Sequence, residues 1–366
     1  MNVMQLVEAK DCEFLNYIKN YHGQSIVVYG AALGAERVTE YLKTQRISPA
    51  YVVVDREFYK EGMKLGPYEV KPLEDVLDNV RGKVDVIVAF GFFDAERLKP
   101  YEQVVDRVLD YEIFFGAVHL GELSYVPRHY YEEYAAELTI AYEALQDDLS
   151  KQIFLAYLNT RISGDRRFFE GLSQEGQYFE KELVDFDEQK LFIDCGGYDG
   201  MDTKRFFMLT SEKSASVIFE ADADNMALTK KNLKEYDNRV RYVERGVWDR
   251  REELSFSSGH GPSSLIEVSG GGTKKLLCTS IDEELLTDPR KVTMIKMDIE
   301  GAEMKALDGA KGIIHRDRPV LAICVYHRPE DIFAIQRKIQ EWNMDYKFYL
   351  RHYDPKHFLE TVLYAV

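Results

Sequence analysis

The sequence predicts an α/β protein that contains two Rossmann-like units in tandem. Short apolar segments that end in glycine or an acidic residue recur in both halves of the chain, with helical stretches between them. This alternation is typical of parallel sheets that are covered by helices. Because 366 residues suit two domains, we place an N-terminal domain at 1–125, a helical connector at 126–185 and a C-terminal domain at 186–366.

In the N-terminal domain, an apolar segment at 25–30 predicts a first strand that ends in Gly30 and leads into a helix. Further apolar segments at 51–54 and 84–90 predict the next parallel strands. The turn that starts at Gly30 lacks the second glycine of a dinucleotide fingerprint. Asp55 could still bind a ribose. The N-terminal domain could therefore bind NAD, bind a nucleotide-sugar, or have lost its ligand and serve as a scaffold, and we favour the scaffold.

The connector and the C-terminal domain differ in the period of their apolar residues. Between 127 and 183 these residues recur at helical spacing, which predicts helices that pack on the C-terminal domain. Beyond residue 189, seven apolar segments predict a seven-stranded sheet whose last two strands form an antiparallel hairpin. The segments lie at 191–195, 216–220, 240–244, 293–298, 320–326, 347–350 and 361–365, and a Ser- and Gly-rich insertion covers 257–264 and 269–272.

A glycine-rich turn follows the first strand of the C-terminal domain and predicts a cofactor site. Asp194 is followed by Gly196, Gly197 and Gly200, and glycine there permits close approach of the backbone to a ligand. Glu220 comes 20 positions after Gly200, at the end of the next strand, where an acid can bind ribose hydroxyls. The order D-x-G-G-x-x-G favours S-adenosylmethionine over a dinucleotide, because a carboxylate suits a cationic amino-acid moiety better than a pyrophosphate.

A second motif brings acidic residues to the end of a later strand. The segment 295–303 delivers Asp298 and Glu300 to the carboxyl end of its strand, where open α/β sheets bind ligands, and Glu303 follows one helical turn on. An acidic first turn that complements a helix dipole is the simpler interpretation of the same residues. Three carboxylates could also bind magnesium, although we expect no metal.

These motifs resemble the FkbM family of S-adenosylmethionine-dependent methyltransferases. The resemblance rests on 194–200, on Gly-Val-Trp-Asp at 246–249 and above all on 296–303, with weaker support at 145–150, 326–331 and 350–353. It spans roughly residues 145–366 and implies the seven-stranded sheet of class I methyltransferases. It also implies methyl transfer to a hydroxyl oxygen, typically of a sugar or a natural product, in polysaccharide or related biosynthesis.

The resemblance implies a set of residues that contact S-adenosylmethionine. Asp194 is expected near the methionine amino group, Tyr198 along the methionine arm and Glu220 at the ribose. Tyr178 of the connector is a further candidate for the same site. The full set of expected cofactor contacts is Asp194, Gly196, Gly197, Tyr198, Gly200, Glu220, Glu244, Trp248 and Asp249, with either Glu244 or Trp248 and Asp249 near the adenine.

A hydroxyl becomes a good nucleophile only when a base takes its proton. His327 follows the strand at 320–326, and we place it before Asp298 and His352 as the candidate base. Both histidines could instead be ordinary loop residues. Acceptor contacts are expected from Lys296, Glu300, Glu303 and Arg351.

The composition limits the classes of partner that we expect this protein to bind. A formal net charge of -16 argues against a nucleic-acid partner, and no apolar run is long enough to predict a membrane span. Four widely spaced cysteines indicate reduced thiols and a cytoplasmic location. The N-terminal domain could form a homodimer contact. An alternative function is a non-catalytic module that binds S-adenosylmethionine or a nucleotide-sugar in glycan assembly.

Overall fold

Two separate sheets form the framework of the protein, as its computed structural model shows. The predicted Ser- and Gly-rich insertion at 257–272 lies outside the described residues. The structure describes residues 2–90, 93–109, 125–186, 190–256, 274–342, 344–355 and 359–366.

The N-terminal sheet has six strands in the order β3-β4-β2-β1-β5-β6, and all neighbours are parallel except β3 and β4. Its strands are β1 Ser25–Tyr29, β2 Tyr51–Val54, β3 Lys64–Leu65, β4 Tyr68–Pro72, β5 Val84–Val88 and β6 Val105–Leu109. The accompanying helices are α1 Glu13–Lys19, α2 Leu33–Thr44, α3 Leu73–Leu77 and a 3-10 helix at Ala95–Tyr101.

Residues in this sheet alternate between two apolar cores. Along β1, Ile26 and Val28 pack into one cluster, whereas Val27 and Tyr29 pack into the other. Successive side chains on a strand point to opposite faces, so a strand that is apolar throughout requires cover on both sides. The strands predicted at 25–30, 51–54 and 84–90 are confirmed, while β3, β4 and β6 were not predicted.

Three helices form the connector, as the helical spacing predicted. They are α4 Arg128–Glu133, α5 Ala135–Ala144 and α6 Asp148–Ser163, followed by a 3-10 helix at Arg166–Phe169. The α6 helix begins where the Asp147 side chain accepts a hydrogen bond from the Ser150 amide, and it ends at Gly164 in the left-handed conformation.

The first residues of the chain pack on the connector. Val3, Met4, Val7 and Ala9 belong to the apolar core that the connector shares with the C-terminal sheet. The Asn159 side chain on α6 accepts hydrogen bonds from the amides of residues 8 and 9, at 2.8 and 2.7 Å. Residues 3–9 are therefore part of the same core as the C-terminal domain.

The C-terminal sheet has seven strands in the order β15-β16-β14-β13-β7-β8-β9, with β16 antiparallel to both of its neighbours. This confirms the predicted seven-stranded sheet and its terminal hairpin. The strands are β7 Leu191–Cys195, β8 Ala215–Phe219, β9 Val240–Val243, β13 Met294–Met297, β14 Val320–Cys324, β15 Phe348–His352 and β16 Thr361–Ala365.

A small sheet and six helices complete this domain. The small sheet has the order β10-β12-β11, with β10 Gly246–Val247, β11 Glu252–Phe256 and β12 Lys274–Thr279, and it was not predicted. The α-helices are α7 Met201–Leu209, α8 Ala223–Asn232, α9 Ile281–Leu285, α10 Glu303–Asp308, α11 Lys311–Asp317 and α12 Asp331–Gln340. A 3-10 helix at Lys234–Arg239 precedes β9.

Candidate active site

The glycine-rich turn after β7 packs directly on the acidic turn after β13. Gly196 has a φ of +85°, and a Cβ atom there would lie 2.0 Å from the carbonyl oxygen of Asp298. A Cβ atom at Gly197 would lie 2.3 Å from the Ile218 side chain. At both positions the absent side chain makes room for neighbouring protein atoms, which brings the two turns together at the carboxyl edge of the sheet.

Glu220 lies one residue beyond β8 and organises the glycine-rich turn. One carboxylate oxygen accepts the Tyr198 amide at 2.9 Å, and the other accepts the Asp222 amide at 2.8 Å. Burial raises the pKa of Glu220, although these amides oppose the rise. The amides of Tyr198, Asp222 and Ala221 do not fill the roughly four acceptor sites of a carboxylate, so Glu220 can still accept from a ribose hydroxyl of a nucleoside.

Asp194 and Lys296 form a buried ion pair beneath the turn. Asp194 is 0% exposed and lies 3.1 Å from the Lys296 ammonium, while its second oxygen accepts the Thr203 hydroxyl at 2.8 Å. Lys296 also donates to the Gly196 carbonyl at 2.7 Å and lies 3.4 Å from Asp202. Burial acts to lower the pKa of Lys296, but Asp194 and Asp202 hold it well above its ordinary value.

Asp298 follows β13 and is oriented by two tyrosines. Tyr178 of the connector donates to one carboxylate oxygen at 2.9 Å, and Tyr326 donates to the other at 3.1 Å. Burial acts to raise the pKa of Asp298, but Lys296, His327 and the two hydroxyls hold it below its ordinary value. The carboxylate is therefore ionised at neutral pH.

His327 lies between three carboxylates. Its Nδ1 atom is 2.9 Å from Glu303, and its Nε2 atom is 3.4 Å from Asp298 and 3.5 Å from Glu300. Burial acts to lower the pKa of His327, but the three carboxylates, Glu303 foremost, raise it to about 10. At neutral pH the ring is a cation with a proton on both nitrogens, and in this state it has no lone pair to accept a proton.

Strained backbone also concentrates here. Of the six nonglycine residues with positive φ in the described ranges, four surround this site: Tyr178, Tyr198, Glu300 and Glu360. Such conformations cost free energy and cluster at functional sites. Burial raises the pKa of both Glu300 and Glu360 to about 7.

Glu360 enters the site through the terminal hairpin. The β14–β16 register pairs Cys324 with Val362, and the Val325 amide bonds the Thr361 carbonyl, so Glu360 stands opposite Tyr326. Its carboxylate accepts a hydrogen bond from the Gln177 side chain. Neither residue was predicted, because they come from the connector and the hairpin and share no local motif with the strand ends.

Two predicted residues lie outside these contacts. His352 is fully buried, contacts the Thr361 hydroxyl at 3.0 Å and stacks on Phe169 with ring centroids 3.8 Å apart. Arg351 is buried against the connector, where it donates to Asp147 at 2.8 Å and Ser150 at 3.0 Å. Their predicted roles as base and acceptor contact therefore stay predictions.

The residues expected near the adenine lie farther along the edge of the sheet. Glu244 is exposed beyond β9 and forms an ion pair with Lys230, and Asp249 lies 3.0 Å from Lys305. Trp248 is buried, and its amide donates to the Thr279 carbonyl at 2.8 Å. No three His, Cys, Asp or Glu side chains of the described residues are grouped so that they could hold a metal ion.

A parallel sheet with an antiparallel terminal hairpin, a glycine-rich turn and an acidic turn together define a Rossmann-like methyltransferase. Residues 194–351 match the model of the methyltransferase FkbM domain. The chain therefore carries a methyltransferase FkbM domain at residues 194–351, as the sequence motifs predicted.

A solved structure shares the fold over nearly the whole chain. The methyltransferase FkbM from Methylobacillus flagellatus KT is 19% identical, with a TM-score of 0.77 over 98% of this chain and 94% of that one. The fibrillarin of Aeropyrum pernix, solved with bound S-adenosyl-L-methionine, is 12% identical, with a TM-score of 0.34 over 50% and 67%. A methyltransferase from Geobacter sulfurreducens is 15% identical, with a TM-score of 0.30 over 63% and 87%.

Comparison with curated protein sequences gives no significant match. In the part of the chain that the structure describes, no helix is long and apolar enough to cross a membrane.

Proposed function

We propose that this methyltransferase uses S-adenosylmethionine to methylate a hydroxyl of a sugar, glycan or natural-product acceptor. The observation that carries the proposal is the cluster of Asp298, Glu300 and His327 beside the glycine-rich turn. S-adenosylmethionine supplies a methyl group on a cationic sulfonium, which an acidic site attracts. The chain must then orient a hydroxyl and take its proton.

Glu220 and the glycine-rich turn are the proposed cofactor site. The Glu220 carboxylate, whose partners are backbone amides, lies at the end of β8, a position suited to ribose hydroxyls. Tyr198, whose side chain is exposed next to Gly197, is the proposed contact of the methionine arm. Because Asp194 is fully buried and bonded to Thr203 and Lys296, we propose that it acts by fixing the Lys296 ammonium under the turn.

Among the acidic residues, Glu300 is the proposed base. Its side chain is 36% exposed, and its pKa of about 7 matches the pH at which it would take a proton. Asp298 holds its proton too weakly for this role and instead orients the acceptor. The His327 cation keeps the neighbouring carboxylates in place, a role that differs from the predicted one as a base.

Calorimetric titration with S-adenosylhomocysteine tests the cofactor site. We expect one site per chain, and affinity roughly 10- to 100-fold weaker in Glu220→Gln, because a hydrogen bond to a charged group is worth about 1.5–3 kcal/mol. Glu235→Gln is the matched control, since Glu235 pairs with Lys204 on the surface. Absence of binding to the wild-type protein would reject the proposed function, and equal affinity in both variants would reject the role of Glu220.

The N-terminal domain is the proposed scaffold. Asp55, which would bind a ribose in a dinucleotide site, is held by the Tyr29 hydroxyl and the Arg97 guanidinium. The Asp55 carboxylate is thus ion-paired with a guanidinium, which a ribose would have to displace, whereas the partners of Glu220 are backbone amides. NAD in the same calorimeter should therefore give no heat of binding.

A cytoplasmic location and a role in polysaccharide biosynthesis complete the proposal. All four cysteines are buried and unpaired, which is typical of a reducing compartment. The predicted homodimer stays a prediction.

A further inference from the structure

The end of β14, which carries Tyr326 and His327, is held by two side chains of the connector. The Tyr157 hydroxyl donates to the Val325 carbonyl at 3.1 Å. The Arg161 guanidinium donates to the next carbonyl, that of Tyr326, at 3.0 Å. The two side chains also contact each other, because the same Arg161 nitrogen lies 3.3 Å from the Tyr157 hydroxyl.

Both connector side chains are fully buried. Tyr157 and Arg161 have 0% exposure, one turn apart on α6, so water does not compete for the two carbonyls. Arginine is seldom buried without a specific partner, and here a partner is the backbone immediately before His327. Residues 157 and 161 lie outside the matched FkbM domain, which starts at residue 194.

The position of His327 depends on this backbone. Its ring nitrogens contact Glu303, Asp298 and Glu300 at 2.9 to 3.5 Å, so a small displacement of the turn would change all three contacts. The Tyr326 ring packs on the His327 ring with centroids 4.3 Å apart, and its hydroxyl orients Asp298. The hydrogen bonds to the Val325 and Tyr326 carbonyls thus hold the backbone that carries the Tyr326 hydroxyl and the His327 ring, both of which contact Asp298.

We propose that Tyr157 and Arg161 are positioning residues that hold the Tyr326–His327 turn in its catalytic arrangement, which makes the connector part of the methyltransferase site. The catalytic importance of this arrangement rests on the proposed function. The positioning itself is a statement about His327 and can be measured without substrate.

The test is a pH titration of His327 in the full-length protein. It is monitored by NMR of protein labelled at the histidine Cε1 atom. His327→Gln assigns the resonance among the eight histidines. The wild-type ring should titrate with a pKa of about 10. In Tyr157→Phe, which keeps the ring and removes only the hydroxyl, we expect the pKa to fall by about one unit as the carboxylate contacts lengthen.

Tyr346→Phe is the matched control. The Tyr346 hydroxyl donates to the Pro319 carbonyl at 2.8 Å, so it bonds the backbone at the opposite end of the same strand. This variant should lower the melting temperature about as much as Tyr157→Phe but leave the His327 titration unchanged. Arg161→Lys, which keeps the charge, should give a smaller pKa change than Arg161→Met.

An unchanged His327 pKa in Tyr157→Phe, with the same loss of melting temperature as in Tyr346→Phe, would reduce Tyr157 to a structural residue and overturn the inference. If Arg161→Met does not fold, the His327 pKa measured in Tyr157→Phe is sufficient to test the inference. Failure of S-adenosylhomocysteine to bind would reject the proposed function but would not alter this titration, so the two failures are distinguishable.

Discussion

Replacement of Lys296 by methionine tests the buried ion pair on which the glycine-rich turn rests. Methionine has a similar length and suits an apolar site, so the change removes mainly the ammonium. Asp194 would then be a buried carboxylate with only the Thr203 hydroxyl as a partner, and the Gly196 carbonyl would lose its donor. Removal of one member of a buried pair typically costs about 3–5 kcal/mol, which is the expected loss of unfolding free energy.

The opposite substitution should cost less. In Asp194→Asn, the Lys296 ammonium keeps the Gly196 carbonyl at 2.7 Å and Asp202 at 3.4 Å. The Asp202 side chain is 37% exposed, so its carboxylate is already partly solvated. We expect a loss of about 1–2 kcal/mol, and the double variant should be more stable than Lys296→Met alone.

Urea unfolding followed by tryptophan fluorescence measures these losses in the relevant domain. The chain has two tryptophans, Trp248 and Trp342, and both belong to the C-terminal domain. A greater loss in Asp194→Asn than in Lys296→Met would refute the reasoning, because it would mean that the ammonium is not what neutralises the buried carboxylate.

Two further predictions concern His327 and Gly196. The folded-state pKa of His327 is raised to about 10, so its stabilisation is complete below its ordinary pKa near 6.5 and is lost as pH rises towards 10. Between pH 6.5 and 9.5, wild type should lose about 3 kcal/mol more than His327→Gln in urea unfolding, and equal losses would contradict the buried cation. Gly196→Ala should cost several times the roughly 1 kcal/mol of a positive-φ glycine, because its Cβ would meet the Asp298 carbonyl. Gly171→Ala is the control, with a φ of +75° and open space, and similar melting temperatures for the two variants would contradict the predicted clash.

The sheet of the catalytic domain could be predicted because its strands are apolar segments separated by glycine and polar residues. The predicted strand ends were less accurate: the apolar segment 320–326 continues to Tyr326, but β14 ends at Cys324. The strand β4 has alternating burial and a proline, and its pattern did not indicate a parallel partner. The local period of apolar residues indicates which residues of a strand are buried. It does not indicate which strand pairs with it, because pairing depends on segments that are distant in the sequence.

The candidate site was predictable only where a motif and a strand end coincide. Asp298, Glu300, Glu303 and His327 lie near two neighbouring strand ends and do meet. From the sequence, His327 and His352 are both candidate bases. In the structure, His327 contacts three carboxylates, whereas His352 stacks on Phe169. Gln177 and Glu360 reach the site from segments 183 residues apart, and no spacing rule connects them.

The packing of residues 3–9 on the connector changes how the N-terminal domain is attached. The chain enters that domain past Ala9, whose amide bonds the Asn159 side chain, and returns at Val126, whose amide bonds the Arg161 carbonyl at 2.9 Å. The domain is thus an insertion, and the residues that flank it, Ala9 and Val126, are hydrogen-bonded to a single turn of α6. A rigid-body rotation of the inserted domain would pivot on the turn that carries Arg161, the same side chain that holds the Tyr326 carbonyl.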